Sequence, residues 1–196
     1  MGNLIVSEFI TLDGVIEAPG RDDSLGERSG WSISYFNDET AKFKLADLQE
    51  SDALLMGRVT YQIHAAAWPS ETDEFADLMN GLPKYVVSTT LETVEWNNSR
   101  LIRGNIPDEV KKLKQAIQRT ILIEGGSDLA NALMRRDLID EYRLLVHPVV
   151  VGQGKRLFQE GGPMQALKLI EATSFSTGVV ALTYQRAEKP ASENAK

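Results

Sequence analysis

Three short segments supply, between them, glycine, hydroxyls and a positive charge at places where an apolar run ends. Gly57-Arg58-Val59-Thr60 follows the run Ala53 to Met56, Ser88-Thr89-Thr90 follows Tyr85 to Val87, and Glu124-Gly125-Gly126-Ser127 follows Ile121 to Ile123. Glycine at a strand-to-helix turn lets the backbone approach a ligand closely, and the free N–H groups of the helix that follows form an anion site. Serine and threonine hydroxyls add hydrogen bonds to phosphate oxygens, and the Arg58 guanidinium is a positive partner beside the first turn. Each segment alone is equally a sharp bend in the chain. Three of them at corresponding strand ends point to one phosphate-rich ligand spanning neighbouring strands of an open sheet.

Other chemistry is excluded by residues the chain lacks. It has no cysteine among its 196 residues, which removes thiol nucleophiles, redox disulfides and zinc-thiolate sites. There is no G-x-x-x-x-G-K-[ST] loop, no G-x-S-x-G elbow, and Gly152-Gln153-Gly154 lacks the third glycine and the helix of the dinucleotide fingerprint. His64 sits among alanines in a helical stretch, without the partners a metal would need, and His147 precedes Pro148 in an apolar strand and reads as a packed residue. A net charge of −7 argues against a nucleic-acid backbone or anionic membrane as partner and favours a small molecule. The first residues reach Ser7 and Glu8 too soon for a signal peptide, and no window approaches about 18 uninterrupted apolar residues, so the expected location is the cytoplasm.

The elements that must position these segments alternate. Asn3 to Phe9, Ala53 to Met56, Tyr85 to Val87, Ile121 to Ile123 and Leu144 to Val151 are apolar runs of strand length, with weaker candidates at Leu101-Ile102 and Val179 to Tyr184. Such continuous runs suit strands covered by helices on both faces. Ala41, Leu45 and Leu48 form one helical stripe, and Val110, Leu113 and Ile117 a second behind Pro107, Asp108 and Glu109. Leu129, Leu133 and Met134 form a third. The last part, Tyr142 to Val151 and Phe175 to Arg186, reads as antiparallel strands closing an edge. The expected fold is α/β: a three-layer sandwich around a central mixed, mostly parallel sheet with an antiparallel C-terminal edge. One domain is expected over residues 1–186, followed by a flexible tail over 187–196. Apolar residues on the C-terminal strands Leu144 to Val151 and Val179 to Tyr184 imply an edge that a second copy would cover, hence a homodimer. The long glycine-rich stretch from Ile10 to Gly30 is read as a functional lid rather than idle coil.

Four segments together carry a family resemblance: Ser7-Glu8-Phe9-Ile10-Thr11-Leu12-Asp13-Gly14, Leu54-Leu55-Met56-Gly57-Arg58-Val59-Thr60-Tyr61, Glu124-Gly125-Gly126, and Pro148 to Phe158 with its Gly152-Gln153-Gly154-Lys155-Arg156-Leu157-Phe158. In this order, over residues 3 to 186, they resemble the dihydrofolate-reductase-like superfamily. Within it they are most similar to stand-alone relatives of the reductase domain of the riboflavin-biosynthesis deaminase-reductase. The resemblance implies a dihydrofolate-reductase-like sheet that binds NADPH. It places Gly57, Arg58, Thr60, Gly125, Gly126 and Ser127 at the pyrophosphate, and Ser88, Thr89 and Thr90 near the adenosine 2′-phosphate. It also places Thr11-Leu12-Asp13-Gly14 beside the nicotinamide and substrate, and implies a homodimer.

Departures bear on the substrate. Ala65-Ala66-Ala67-Trp68-Pro69-Ser70-Glu71 stands where riboflavin enzymes of this resemblance carry an Ala-Asp-Asn-Pro or Ala-Asp-Asp-Pro segment that holds the ribose phosphate, and the zinc-binding deaminase half is absent. Asp38 or Glu39 is the nearest counterpart of the acid used in folate reduction, and both are equally acids that favour a helix start. The implied activity is an NADPH-dependent reductase that transfers hydride to a C=N or similar bond of a small pteridine-like or pyrimidine-like substrate, similar to 5-amino-6-(5-phosphoribosylamino)uracil reductase. Glu124 is the first candidate for substrate contact or proton donor and Asp13 the second. Glu124 could instead cap the following helix, and Asp13-Gly14 is an ordinary turn pair. The rival reading is a nucleotide-binding module without turnover, serving as a sensor or interaction subunit.

Overall fold

The computed structural model describes residues 1–20 and 24–187. Eight strands form one sheet: β1 (Asn3–Thr11), β2 (Ala53–Gly57), β3 (Lys84–Val87), β4 (Ser99–Ile102), β5 (Thr120–Ile123), β6 (Glu141–His147), β7 (Leu167–Ser174) and β8 (Val180–Arg186). They lie in the order β4-β3-β2-β5-β1-β6-β8-β7. The first six are mutually parallel, while β8 runs antiparallel to both β6 and β7. The helices are α1 (Asp38–Gln49), α2 (Arg58–Ala67), α3 (Glu74–Gly81), α4 (Ile106–Ala116) and α5 (Ser127–Met134). This is the three-layer mixed sheet expected from the alternation of apolar runs and helical stripes.

Side-chain alternation assigns each helix to a layer. Leu4, Val6 and Ile10 of β1 share a buried cluster with Ile121 and Ile123 of β5, Val110 of α4, and Leu129 and Leu133 of α5. On the opposite face Ile5, Leu54, Met56 and Leu122 pack with Leu48 of α1, Tyr61 of α2 and Met79 of α3. Local signals start the helices: Pro107 lies in the first turn of α4 as read, and Asn37, not singled out from sequence, accepts from Glu39 N–H and Thr40 N–H to cap α1.

Several boundaries differ from expectation for definable reasons. Strand β6 begins at Glu141 and stops at His147, because Pro148 has no N–H to continue the ladder. Phe175 to Val179 is the β7–β8 hairpin turn, closed by Phe175 N–H to Val179 O and a left-handed Gly178. Neither α3 nor β7 was anticipated. Helix α3 is eight residues long and is tied down at its end by Lys84, whose buried ammonium donates to the carbonyls of Met79, Asn80 and Leu82 and lies 4.3 Å from the Trp96 ring centroid. The free edge is also displaced: Leu144 to His147 and Val180 to Tyr184 are interior strands, and the exposed edge is β7. The tail expected over 187–196 lies, beyond Ala187, outside the described residues. Among the described residues, no helix is long and apolar enough to cross a membrane.

Candidate active site

Right-handed crossovers decide where the sheet opens. The chain leaves β2 toward β3 on one side and leaves β5 toward β6 on the other, so connections diverge between the neighbours β2 and β5. In open parallel sheets ligands enter at such a switch point, outside the carboxyl ends of the strands. Gly57, at the end of β2, begins α2, and a Cβ there would meet nothing within 4 Å. Across the opening, Gly125 and Gly126 take φ of +73° and +94°, which glycine accepts without strain. Thr60 closes the distance, since a Cβ on Gly125 would stand 3.1 Å from the Thr60 Oγ1. The two glycine turns are therefore brought together by the fold.

Five further residues complete this end. Ser127 opens α5 and is buried, and its Oγ has no partner. Arg58 is tethered by Nη1 to Gln62 Oε1 at 3.0 Å on the first turns of α2. Pairing of Gly57 with Val87 sets Ser88 beside the first turn. The Ser88 hydroxyl accepts from Thr90 N–H and Leu91 N–H, so it holds the turn, while the Thr89 and Thr90 side chains are exposed.

Asp13 is a brace. Its carboxylate accepts from Thr11 Oγ1 at 2.7 Å, Val151 N–H at 3.1 Å and Gly152 N–H at 2.8 Å, with Arg156 3.6 Å away. Burial pushes its carboxyl up, but the Thr11 hydroxyl and the Gly152 and Val151 amides outweigh that and hold it below the ordinary carboxylate range. Held ionised in this way, it serves as a hydrogen-bond acceptor that ties two loops together. The same docking joins Ile16 N–H to Lys155 O and Leu157 N–H to Gly14 O. The segments Thr11 to Gly14 and Gly152 to Leu157, remote in sequence, thus form one structural unit. Glu39 is similarly engaged, by Ser176 N–H, Ser176 Oγ and the Asn37 amide, and Asp38 beside it is exposed.

Glu124 does not cap α5, whose N-cap is Gly126 with no side-chain cap hydrogen bond. It instead pairs with Lys44 Nζ at 2.5 Å. Lys44 also donates to Ser7 Oγ at 2.7 Å and stands 3.6 Å from Asp47. Asp47 in turn takes Ser7 Oγ at 2.5 Å and Arg143 Nη1 at 2.7 Å. Burial lowers the Lys44 ammonium, but Glu124 and Asp47 outweigh it and raise it. Beside this pair lies Glu8, only 5% exposed, with the Gly125 amide near enough to draw its pKa down. Burial raises its pKa to about 8 against the pull of Lys44, and the Glu124 charge adds to the rise. His64, on α2, is kept neutral chiefly by burial.

Sequence reasoning passed over Glu8, Lys44 and Asp47. A charge within the apolar run of β1 was the available signal for Glu8. For Lys44 it was a position three after Ala41 and four before Leu48, on the inward stripe of α1.

The raised Glu8 carboxyl gives a linkage prediction. The folded state holds its proton to about pH 8 and the unfolded chain only to about 4.5, so the stability it contributes is present below pH 4.5 and is lost as pH rises through 8. Glu8→Gln should therefore gain stability relative to the native chain across that window. Denaturant midpoints measured at pH 5 and 8.5 check this, and a constant difference between the two chains would contradict it.

A mostly parallel sheet opening on two glycine turns, with the orphaned Ser127 hydroxyl after the second, belongs to the α/β folds of the dihydrofolate-reductase-like class. The chain belongs to the RibD C-terminal domain family, whose model matches residues 3–181. It is 32% identical over 186 residues to the uncharacterized protein YyaP of Bacillus subtilis (strain 168), covering 92% of this chain and 93% of that one. Its fold is similar to that of a Shewanella sp. PV-4 protein whose name places it in riboflavin biosynthesis. That likeness has a TM-score of 0.73 and 23% identity, and covers 95% of this chain and 99% of that chain. The fold is also similar to Enterococcus faecalis dihydrofolate reductase complexed with NADP(H), with a TM-score of 0.62 and 13% identity, covering 95% and 97% of the two chains. The family is one of reductases of this type, and the chain is a relative of the reductase domain.

Proposed function

We propose that the protein is an NADPH-dependent reductase acting on a C=N or similar bond of a small pteridine-like or pyrimidine-like heterocycle. The observation that carries this reading is the meeting of Gly57 to Thr60 with Gly125 to Ser127 at the switch point, with the buried Ser127 Oγ left without a partner. A buried hydroxyl with no hydrogen bond costs roughly 1–3 kcal/mol, a cost that a phosphate oxygen would remove. An NADPH pyrophosphate fits this cradle: Gly57, Gly125 and Gly126 offer backbone without obstruction, Ser127 a donor and Arg58 a charge. Thr89 and Thr90, with Arg58 nearby, suit the 2′-phosphate. When bound, NADPH supplies hydride. The chain itself orients the turns through Thr60, holds the Asp13 unit against Gly152, and presents Glu124, fixed by Lys44, as a substrate contact.

The substrate need not carry a ribose phosphate. Ala65 to Ala67 complete α2 and Trp68–Ser70 form a 3-10 turn, so apolar residues occupy the stretch that would hold that phosphate. Purified protein incubated with NADPH and a panel of dihydropterins and pyrimidine intermediates should deplete the nicotinamide absorbance with at least one member. Binding without oxidation across the panel would instead identify a non-catalytic nucleotide module.

Cofactor preference follows from the same groups. NADPH should bind about 10- to 100-fold more tightly than NADH at low salt, from one or two charge-assisted hydrogen bonds to the added phosphate. The ratio should shrink as salt rises. Equal affinities at low salt, measured by calorimetric titration, would remove Arg58 and Ser88 to Thr90 from that role.

Assembly is the remaining proposal. Strand β7 leaves a free edge on which Leu169 and Ile170 are about half exposed, at 48% and 46%. A symmetric copy covering that edge makes a homodimer. Light scattering at micromolar concentration should give twice the chain mass, and a monomer mass would end the proposal.

A further inference from the structure

Glu8 lies in a gap between strands. Pairing of β1 with β5 stops at Val6 and Ile123, whereas β1 continues beside β6 to Thr11 and His147. Past Val6 the strand therefore lines an opening whose other wall is Glu124 and Gly125. Glu8 is the first residue after Ser7 on the same face of β1 as Leu4, Val6 and Ile10, where an apolar side chain would be expected. Its Oε1 is buried and has no hydrogen-bond partner among the described residues.

Among the described residues, charge arithmetic at this position leaves Glu8 without a counter-ion of its own. Three carboxylates, from Glu8 on β1, Asp47 on α1 and Glu124 after β5, surround the single ammonium of Lys44. That ammonium is already 2.5 Å from Glu124 and 3.6 Å from Asp47. Arg143 of β6 is shared among Asp47, Glu50 and Glu141. His64 of α2, which also faces Glu124 and Lys44, is neutral. A buried carboxyl with no positive partner takes up a proton, because a bare charge there costs far more than a neutral acid. The two acids singled out from sequence differ in this respect, since Glu124 is ion-paired and the Asp13 oxygens are saturated with donors.

We propose that Glu8 holds the proton this site delivers, and that the substrate is a heterocycle presenting the unprotonated nitrogen of a C=N bond to the opening between β1 and β5. The proposal rests on the reductase reading above. In the reaction the substrate carbon gains a C–H bond with the hydride pair of the reduced nicotinamide, which leaves oxidised. The substrate nitrogen gains an N–H bond as the Glu8 O–H bond breaks, and water reprotonates the carboxylate. The Lys44 ammonium, close enough to act on Glu8, lowers the cost of the carboxylate that exists between the two proton transfers.

The test uses the full chain, with Glu8→Gln as the near-isosteric variant and Glu8→Asp as the conservative one. First, carbon NMR of protein labelled at the glutamate carboxyl, with the Glu8 signal assigned by its loss in Glu8→Gln, should show a neutral acid at pH 7 that titrates near pH 8. A Glu8 signal already ionised at pH 7 overturns the proposal whatever the enzyme does. Second, with a panel substrate that the native chain reduces, Glu8→Gln should keep its NADPH dissociation constant within about threefold and lose at least about 100-fold in kcat. Glu8→Asp should recover part of that loss and shift the pH profile. Turnover of Glu8→Gln within a few-fold of native overturns the delivery step. Loss of NADPH binding in both variants would reduce Glu8 to a support of the Gly125 turn and also overturn it. No turnover by the native chain on any panel member sinks the reductase reading and the delivery step with it, while the NMR midpoint still reports whether Glu8 carries the proton.

Discussion

Gly126→Val should lose at least about 100-fold in NADPH affinity while remaining folded, the loss corresponding to about 2.7 kcal/mol of binding free energy. At φ +94° a β-branched residue is strained by roughly 1–3 kcal/mol, a cost that a domain of ordinary stability survives. Locally the new Cβ would find room, with Thr60 Oγ1 3.6 Å away and Leu129 Cβ 3.9 Å away. The damage falls on the ligand side, because the valine methyl groups would project from the turn that must let a pyrophosphate reach the first amides of α5. Calorimetric titration beside circular dichroism separates the two effects. Normal binding by a folded variant would put the Gly125-Gly126 turn outside the site.

Asp47→Ala should destabilise the fold by about 3 kcal/mol or more, the cost of removing one partner from a buried ion pair. Asp47 is 1% exposed and joins three elements: it accepts from Ser7 of β1 and Arg143 of β6 and faces Lys44 on its own helix. With it gone, Lys44 keeps Glu124, and Arg143 keeps Glu50 and Glu141, so the loss should fall at the low end for such a site. The midpoint of thermal unfolding should drop by roughly 6–12 °C. A fall of less than about 2 °C would mean that the cluster contributes little to holding α1 against the sheet. Asp47→Asn, which keeps the shape and part of the hydrogen bonding, should lie between.

The interior was legible in the sequence because burial on both faces writes a continuous apolar run. Leu54 to Met56 and Ile121 to Ile123 are such runs, and both are central strands. Strand β7 was not legible for the converse reason, since its residues from Lys168 onward are exposed and no alternation marks a face. The displaced edge, and with it the location assigned to the dimer contact, follows from that one missed strand. Among the site residues, glycine turns announce themselves by composition and strand position, and Gly57, Gly125 and Gly126 do face one opening. The acids behave differently. Whether a carboxyl is a brace, an ion-pair partner or a proton holder depends on what the fold brings to it: the amides of Val151 and Gly152 to Asp13, Lys44 to Glu124, and, among the described residues, no free cation to Glu8. Those partners are tens of residues or more away along the chain, and local sequence does not reveal them.

The most direct test of the account is a crystal structure of the protein grown with NADPH. The pyrophosphate oxygens should lie against the amides of Gly57, Gly125 and Gly126 and accept the Ser127 Oγ–H, with the adenosine end beside Thr89 and Thr90. The molecule has another place where a nucleotide could rest, a hollow of about 500 Å³ lined by Tyr61, Ala65, Pro69, Leu91 and Trp96, between α2 and the β3–β4 connection. A cofactor seated in that hollow, with the glycine turns and the Ser127 hydroxyl untouched, would contradict the assignment.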